Sequence, residues 1–313
     1  MEDLLFSLNT VFPLLVMMAA GFLARAVGWV NEKTVRQCNA CVFKLFLPLL
    51  LCFNIMDTEL GATFDLLTPI YALLTTLCCF GVLFLIAPRL CKERADCGVL
   101  IQGIARSNYA IFGIPLVLAM YPDADTSIAV LLVVVLVPTF NVLSTIALMM
   151  YNGQRPHLGK LLKGIALNPL ILGTLAGFVL WQLQIPWPAM IESPLRKLAE
   201  LATPLALFLL GASLDFGKAR ANRRLLIIGV LGRLVLVPLC FLSIAILLGI
   251  RDVSLAALIA AYASPTSVSS FPMAQQMGGN ADLAGAQVVF TTALSILTVF
   301  LWVFVLKSGG FLC

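Results

Sequence analysis

The apolar residues of this chain fall into ten runs, each long enough to cross a bilayer, and that pattern leaves few folds open. A spanning helix needs about 20 consecutive apolar residues. The runs cover about 6–27, 35–56, 66–88, 98–120, 126–150, 161–183, 195–216, 224–249, 253–277 and 282–306. Short charged or Gly/Pro-rich breaks separate them and leave no room for a soluble domain. Of the 313 residues, 61% are hydrophobic and 11% charged, where soluble domains are about half apolar and a quarter charged. Hydrocarbon offers the backbone no hydrogen-bond partner, so runs of this length are helices. The expected fold class is an all-α polytopic membrane protein with ten transmembrane helices.

The first run is expected to be a true span. Glu2 and Asp3 stand where a signal peptide carries positive charge, and the run exceeds an h-region. Charge placement orients the chain. Thirteen Lys and Arg fall in alternate connections (Arg25, Lys33, Arg36; Arg89, Lys92, Arg94; Arg155, Lys160, Lys163; Lys218, Arg220, Arg223, Arg224). The opposite set has Arg196, Lys197, Arg251 and Lys307. The positive-inside rule then puts both termini on the outer side.

The halves repeat. Pro13 before Ala20-Gly21-Phe22 and Pro169 before Ala176-Gly177-Phe178 share an offset of 156, as do Pro48 and Pro204. Pro115 and Pro272 are 157 apart, and so are the "DAD" at 123–125 and the "NAD" at 280–282. Five landmarks in one order at one spacing divide the chain into repeats of five spans, 1–152 and 153–313. Five is odd, so the second copy enters the membrane from the other side. That inverted topology is a route to alternating access and points to a transporter.

The fourth span of each repeat is interrupted. "ARSNYAIFGIPLVLAMYP" (105–122) and "ASPTSVSSFPMAQQMGG" (263–279) place prolines and polar groups where a continuous helix is expected. Each proline removes a backbone N–H and clashes with the carbonyl four residues back. Asn108 and Pro265 both fall near the membrane midplane, so helices 4 and 9 are expected to break and cross there. Unwound backbone at that depth is tolerated where protein buries it or water reaches it, and helix N-termini there would favour an anion, particularly a carboxylate. Candidate substrate-binding residues are Arg106, Asn108, Tyr109, Pro115, Pro265, Thr266, Ser267, Ser269, Ser270 and Pro272. Either Ser264-Pro265 or Phe271-Pro272 could open a helix. Arg106 and Arg233 lie within spans, where a cation is costly and commonly functional; snorkelling to the surface is the bland alternative. Asn54 and Ser213 are weaker candidates for lining the site.

Other chemistry finds little support. Cys38 and Cys41 form a lone CxxC, and the single His157 lies in a connection, so no metal site and no cofactor is expected. No carboxylate falls near a membrane centre, which leaves a proton relay without a carrier and the coupling, H+ or Na+, open. An intramembrane enzyme would need paired acidic motifs or a Ser/His set, and Asp123-x-Asp125 stands alone in a turn. A channel or a non-transporting sensor on the same fold are the alternatives to a carrier.

"NYAIFGIPLVLAMY" (108–121), "NPLILGTLAGF" (168–178), "ATPLALFLLGASL" (202–214) and "SPTSVSSFPMAQQMGGNADLAG" (264–285) resemble segments of the auxin efflux carrier family, and the likeness runs over nearly the whole chain. The resemblance implies scaffold helices 1, 2, 6 and 7, usually dimeric, and transport helices 3–5 and 8–10 moving as an elevator. It implies substrate at the crossing of helices 4 and 9, with Asn108, Pro115, Pro265 and Pro272 as crossover residues. The second crossover lacks an Asn, and the middle connection at 151–160 is short. These departures favour a bacterial inner-membrane carrier of small organic acids, of malonate-permease type, over an auxin carrier.

Overall fold

The computed structural model describes residues 2–57, 66–109, 116–117, 120–121, 127–151, 163, 166–183, 188–214 and 222–312. Among the described residues twelve helices follow in order: α1 Glu2–Ala26, α2 Glu32–Met56, α3 Leu67–Leu90, α4 Arg94–Ala105, α5 Ser127–Met150, α6 Pro169–Leu183, α7 Ala189–Glu200, α8 Ala202–Ser213, α9 Arg223–Leu247, α10 Asp252–Ala263, α11 Ser270–Gln276 and α12 Ala281–Ser308. Five of them, α2, α3, α5, α9 and α12, are long and apolar enough to cross a membrane, and α6, α10 and the Phe12–Ala26 part of α1 are shorter apolar helices. The protein is therefore an all-helical, multi-pass membrane protein. Asn31 caps α2 by accepting the Thr34 N–H at 2.9 Å, and Asn280 caps α12 by accepting that of Leu283 at 3.0 Å.

Prolines inside long helices are absorbed locally. Pro48 and Pro238 each follow a π-helical turn, Val42–Phe46 in α2 and Gly232–Leu236 in α9. Widening the turn moves the preceding carbonyls off the ring. In α9 the carbonyl freed by Pro238 is that of Leu234, and the Trp302 indole of α12 donates to it at 3.0 Å. Trp302→Phe strands that carbonyl and is expected to lower stability by about 1–2 kcal/mol, read as a fall in the thermal midpoint in detergent.

Two interfaces are built on matching residues. α1 packs on α8 and α2 packs on α6. A Cβ at Gly21 would lie 1.8 Å from the Phe208 carbonyl oxygen, and one at Gly177 would lie 2.5 Å from that of Cys52. Positions 21 and 177 differ by 156, and so do 52 and 208. Backbone approach this close admits only glycine, as is common where membrane helices touch. Gly177→Val is expected to force α2 and α6 apart at a cost of about 1–3 kcal/mol, again visible in the thermal midpoint.

The seventh run differs from its expected bounds. The sequence places a span at 195–216; the structure starts a helix at Ala189, breaks it at Leu201 and resumes it from Ala202 to Ser213. α7 is amphipathic, and its charged residues serve a surface network. Arg196 donates to both Asp57 oxygens at 2.7 and 2.6 Å and to Glu192 at 2.7 Å. Hydrogen bonding to Asp57, then to Glu192, holds this guanidinium further toward its charged form than usual.

At the centre, α4 stops at Ala105 and α10 stops at Ala263. The stretches that follow are extended and run antiparallel, with Ser107 opposite Thr266. The Asn108 N–H donates to the Pro265 carbonyl at 2.9 Å, and the Ser267 N–H to that of Arg106 at 3.3 Å. Pro272 sits in the first turn of α11, where a missing N–H is harmless. Of the two prolines that could open a helix, Pro272 does so; Pro265 lies in the extended stretch between α10 and α11. Elsewhere, near the start of α2, Asn39 donates to the Gln275 side chain of α11 at 2.8 Å. Asn168, at the start of α6, donates to Thr145 Oγ1 of α5 at 3.1 Å.

Candidate functional site

A cavity of about 150 Å³ lies against the paired stretches. Its polar wall is Arg106, Ser107, Asn108, Ser267 and Ser269, with Asn54 and Thr203 completing the polar lining. Its apolar wall is formed by Leu47, Leu50 and Leu51 of α2, Val137 and Phe140 of α5, Ala206 of α8, and Val268. The helix ends explain why the polar groups gather here. Unpaired backbone at Arg106–Asn108 and Ser264–Ser269 would be costly in lipid, so each stretch bonds the other and turns side chains to the cavity.

Arg106 dominates the electrostatics. It is 4% exposed. Its Nη2 donates to Asn141 Oδ1 at 2.7 Å and to Ser269 Oγ at 2.6 Å, and its Nη1 to the Met273 sulfur. No carboxylate pairs with it among the described residues. Asn141 and Ser269 are neutral, so they fix the guanidinium without cancelling its charge. Beside it, Asn108 Nδ2 and Ser107 Oγ are buried with no hydrogen-bond partner among the described residues. A buried cation and two idle polar groups around one cavity are complementary to an anion that accepts several hydrogen bonds. A carboxylate is such a group.

The sequence-derived candidates separate into three sets. Arg106, Asn108, Ser267 and Ser269 line the cavity. Pro265, Thr266, Ser270, Pro272 and Tyr109 do not line it. Thr266 donates its hydroxyl to the Gly103 carbonyl at 2.6 Å and its N–H to Thr291 Oγ1 at 3.1 Å. Ser270 offers its carbonyl to Gln102 Nε2 at 3.1 Å. Tyr109, 1% exposed, donates its hydroxyl to the Ala129 carbonyl at 3.0 Å. Pro115 lies outside the described residues. Asn54, a weaker candidate, lines the cavity, whereas Ser213 donates to the Leu209 carbonyl of its own helix.

Sequence reasoning missed Asn141 and the whole apolar wall. Asn141, three residues after Pro138 in an otherwise apolar span, was a legible signal; it is fully buried and orients Arg106. The leucines carried none, since leucine lines every helix of such a chain. The N-termini of broken helices were expected to supply positive potential; α11 begins beside the cavity, with Ser269 on its wall, α4 and α10 bring C-termini to the crossing, and the matching half of the fourth run lies largely outside the described residues. Positive charge also comes from Arg106 and from Arg233, which is fully buried and bonds backbone carbonyls rather than reaching the surface.

The family model described as membrane transport protein matches residues 6–159 and 154–303. An uncharacterized transporter from Methanothermobacter thermautotrophicus is 23% identical over 316 residues, covering 96% of this chain and 98% of its own. A putative malonate transporter from Rhizobium meliloti is 32% identical over 149 residues, 47% of this chain and 46% of its own.

Proposed function

The chain belongs to the membrane transport protein family, to which its resemblance to auxin efflux carriers points, and on that premise we propose that it is a secondary carrier for small organic anions. Membership makes it a membrane transporter and no enzyme. The observation that carries the finer reading is Arg106, buried on the cavity wall with no carboxylate partner among the described residues. A guanidinium in that setting is costly unless a ligand supplies the counter-charge. The Rhizobium relative, described as a putative malonate transporter, fits the same chemistry.

Alternating access is the proposed mechanism. Matching glycine contacts 156 residues apart support two inverted five-helix repeats, 1–152 and 153–313, making ten spans. The antiparallel pairing of 107 with 266 supports a crossing of the fourth and ninth spans. In this reading α1, α2, α6 and α8 form the scaffold, and the remaining spans carry the anion past the leucine wall of α2. Dimerisation through the scaffold and an inner-membrane location with both termini outside complete the proposal.

The test is counterflow in proteoliposomes. Vesicles loaded with an unlabelled mono- or dicarboxylate should accumulate the labelled compound, which requires a carrier. Single-channel conductance without counterflow would favour a channel, and failure of every small carboxylate to exchange would end the anion reading.

A further inference from the structure

Lys44 is an intramembrane cation that the cavity does not use. It is the thirteenth of the 25 residues of α2, on the π-helical turn Val42–Phe46, and it is exposed. Its ammonium makes no hydrogen bond or ion pair among the described residues. The face that leads to it from the start of α2 is basic. Lys33, Arg36, Gln37 and Cys41 are exposed, whereas Val35, Asn39, Val42 and Phe43 are buried. Glu32, at the first position, is the one acidic residue of α2.

Its neighbours place this charge below the membrane surface. Trp29, 82% exposed, and the exposed Arg25, Lys33 and Arg36 gather at the α1–α2 connection. Tryptophan with lysine and arginine marks the level of the lipid headgroups. From Arg36 to Lys44 the helix rises by about 12 Å. A lysine stem covers only about half that depth, so snorkelling alone leaves the ammonium short of water. Beyond Lys44 the exposed surface is apolar. Leu45 is 48% exposed, and Leu172 and Leu175 are exposed on α6, whose Gly173 packs against Pro48. A charge in that setting is costly unless an anion descends to meet it.

We propose that Lys44 and Arg36 hold between them the phosphate of an anionic phospholipid, in the leaflet that borders the α1–α2 connection. That leaflet is the inner one in the orientation proposed above. The two stems, reaching toward each other, together cover the interval that neither covers alone. Two features favour a lipid over a dissolved anion. The phosphate sits below the headgroup level, where a free ion would lose its hydration, and the exposed leucines beyond Lys44 suit acyl chains. A guanidinium and an ammonium on one phosphate make charge-assisted bonds, and basic clusters beside membrane helices bind anionic headgroups on this side. The site lies at the root of the cavity wall, since Leu47 and Leu50 follow Lys44 within two turns. Bound lipid ties the π-helical turn of α2 to the bilayer and steadies the wall past which the remaining spans move. The proposal goes beyond the carrier reading, and lipid binding does not depend on it.

Lipid titration of the full chain in detergent tests this. Phosphatidylglycerol should raise the thermal midpoint of wild type by several degrees, and phosphatidylcholine and inorganic phosphate should not. Lys44→Met should lose most of that rise. Its midpoint without added lipid should equal or exceed that of wild type, because an unpaired cation has been removed. Lys44→Arg, which keeps the charge, should keep the response. Native mass spectrometry should find phosphatidylglycerol retained on wild type and reduced roughly tenfold on Lys44→Met. An equal rise in wild type and Lys44→Met overturns the proposal, as does an equal response to phosphatidylcholine. A rise with inorganic phosphate alone assigns the site to a dissolved anion and overturns the lipid reading. A Lys44→Met chain that loses dimer mass while keeping its lipid shows that a second copy covers this face, and overturns it too. Should Lys44→Met fail to fold, Lys44→Gln takes its place in both measurements. Failure of carboxylate counterflow would end the carrier reading and leave every one of these readouts standing.

Discussion

Replacing Arg106 with Gln should all but eliminate carboxylate uptake while leaving the fold intact. The guanidinium lies on the cavity wall, held by Asn141 and Ser269. Removing one partner of a buried charge pair costs about 2–5 kcal/mol, a loss between roughly thirtyfold and several thousandfold in apparent affinity or kcat/KM. Arg106→Lys keeps the charge but not the planar fork, and should fall between. The sign of the stability change separates a binding role from a structural one. Without substrate, Arg106 is an uncompensated buried cation, so its removal should leave the thermal midpoint in detergent unchanged or raised. A large fall in the midpoint together with intact uptake would show that Arg106 holds the fold and not the anion.

The second large effect comes from the apolar wall. Leu50 of α2 lines the same cavity and contributes no polar group. Leu50→Asp places a carboxylate in a space of about 150 Å³ that already holds Arg106. The new charge neutralises the guanidinium and repels an incoming anion. Across about 8 Å at an effective dielectric constant near 20, that repulsion is about 2 kcal/mol, or roughly thirtyfold. Leu50→Asn, similar in size and polarity but neutral, should keep most of the uptake. Equal loss in both variants would mean that shape rather than charge is read at this wall.

Much of the fold is legible in the sequence because the bilayer constrains it so tightly. Runs of apolar residues mark α2, α3, α5, α9 and α12 to within a few residues. The helix from Ala189 to Glu200 is not legible, because its charged residues Glu192, Arg196, Lys197 and Glu200 read as a connection; the bond from Arg196 to Asp57, 139 residues away, helps to fix where α7 lies. For the site, polar groups beside proline in the fourth and ninth runs single out Arg106, Asn108, Ser267 and Ser269. Pattern alone could not separate these from Thr266 and Ser270, which face inward. Side-chain direction in extended backbone depends on its pairing partner, and here that partner is 159 residues distant. Arg233 was visible as an intramembrane cation, but its four carbonyl partners come from two other helices, and no spacing within its own run foretells them.

Two side-chain amides noted above bear on the timing of the cycle. Asn39 joins α2 to α11 through Gln275, and Asn168 joins α6 to α5 through Thr145. Asn39 lies near the start of α2 and Asn54, on the cavity, near its end, so that bond clasps α2 to α11 at one end while the cavity lies toward the other. For a carrier of the kind proposed, reversal must open that clasp. Two neutral hydrogen bonds are worth about 2 kcal/mol together, which would leave the reversed form as a minority of a few per cent in the absence of other biases. A bias of that size is small enough for bound cargo to overturn, and it gives the empty protein a preferred direction in which to wait.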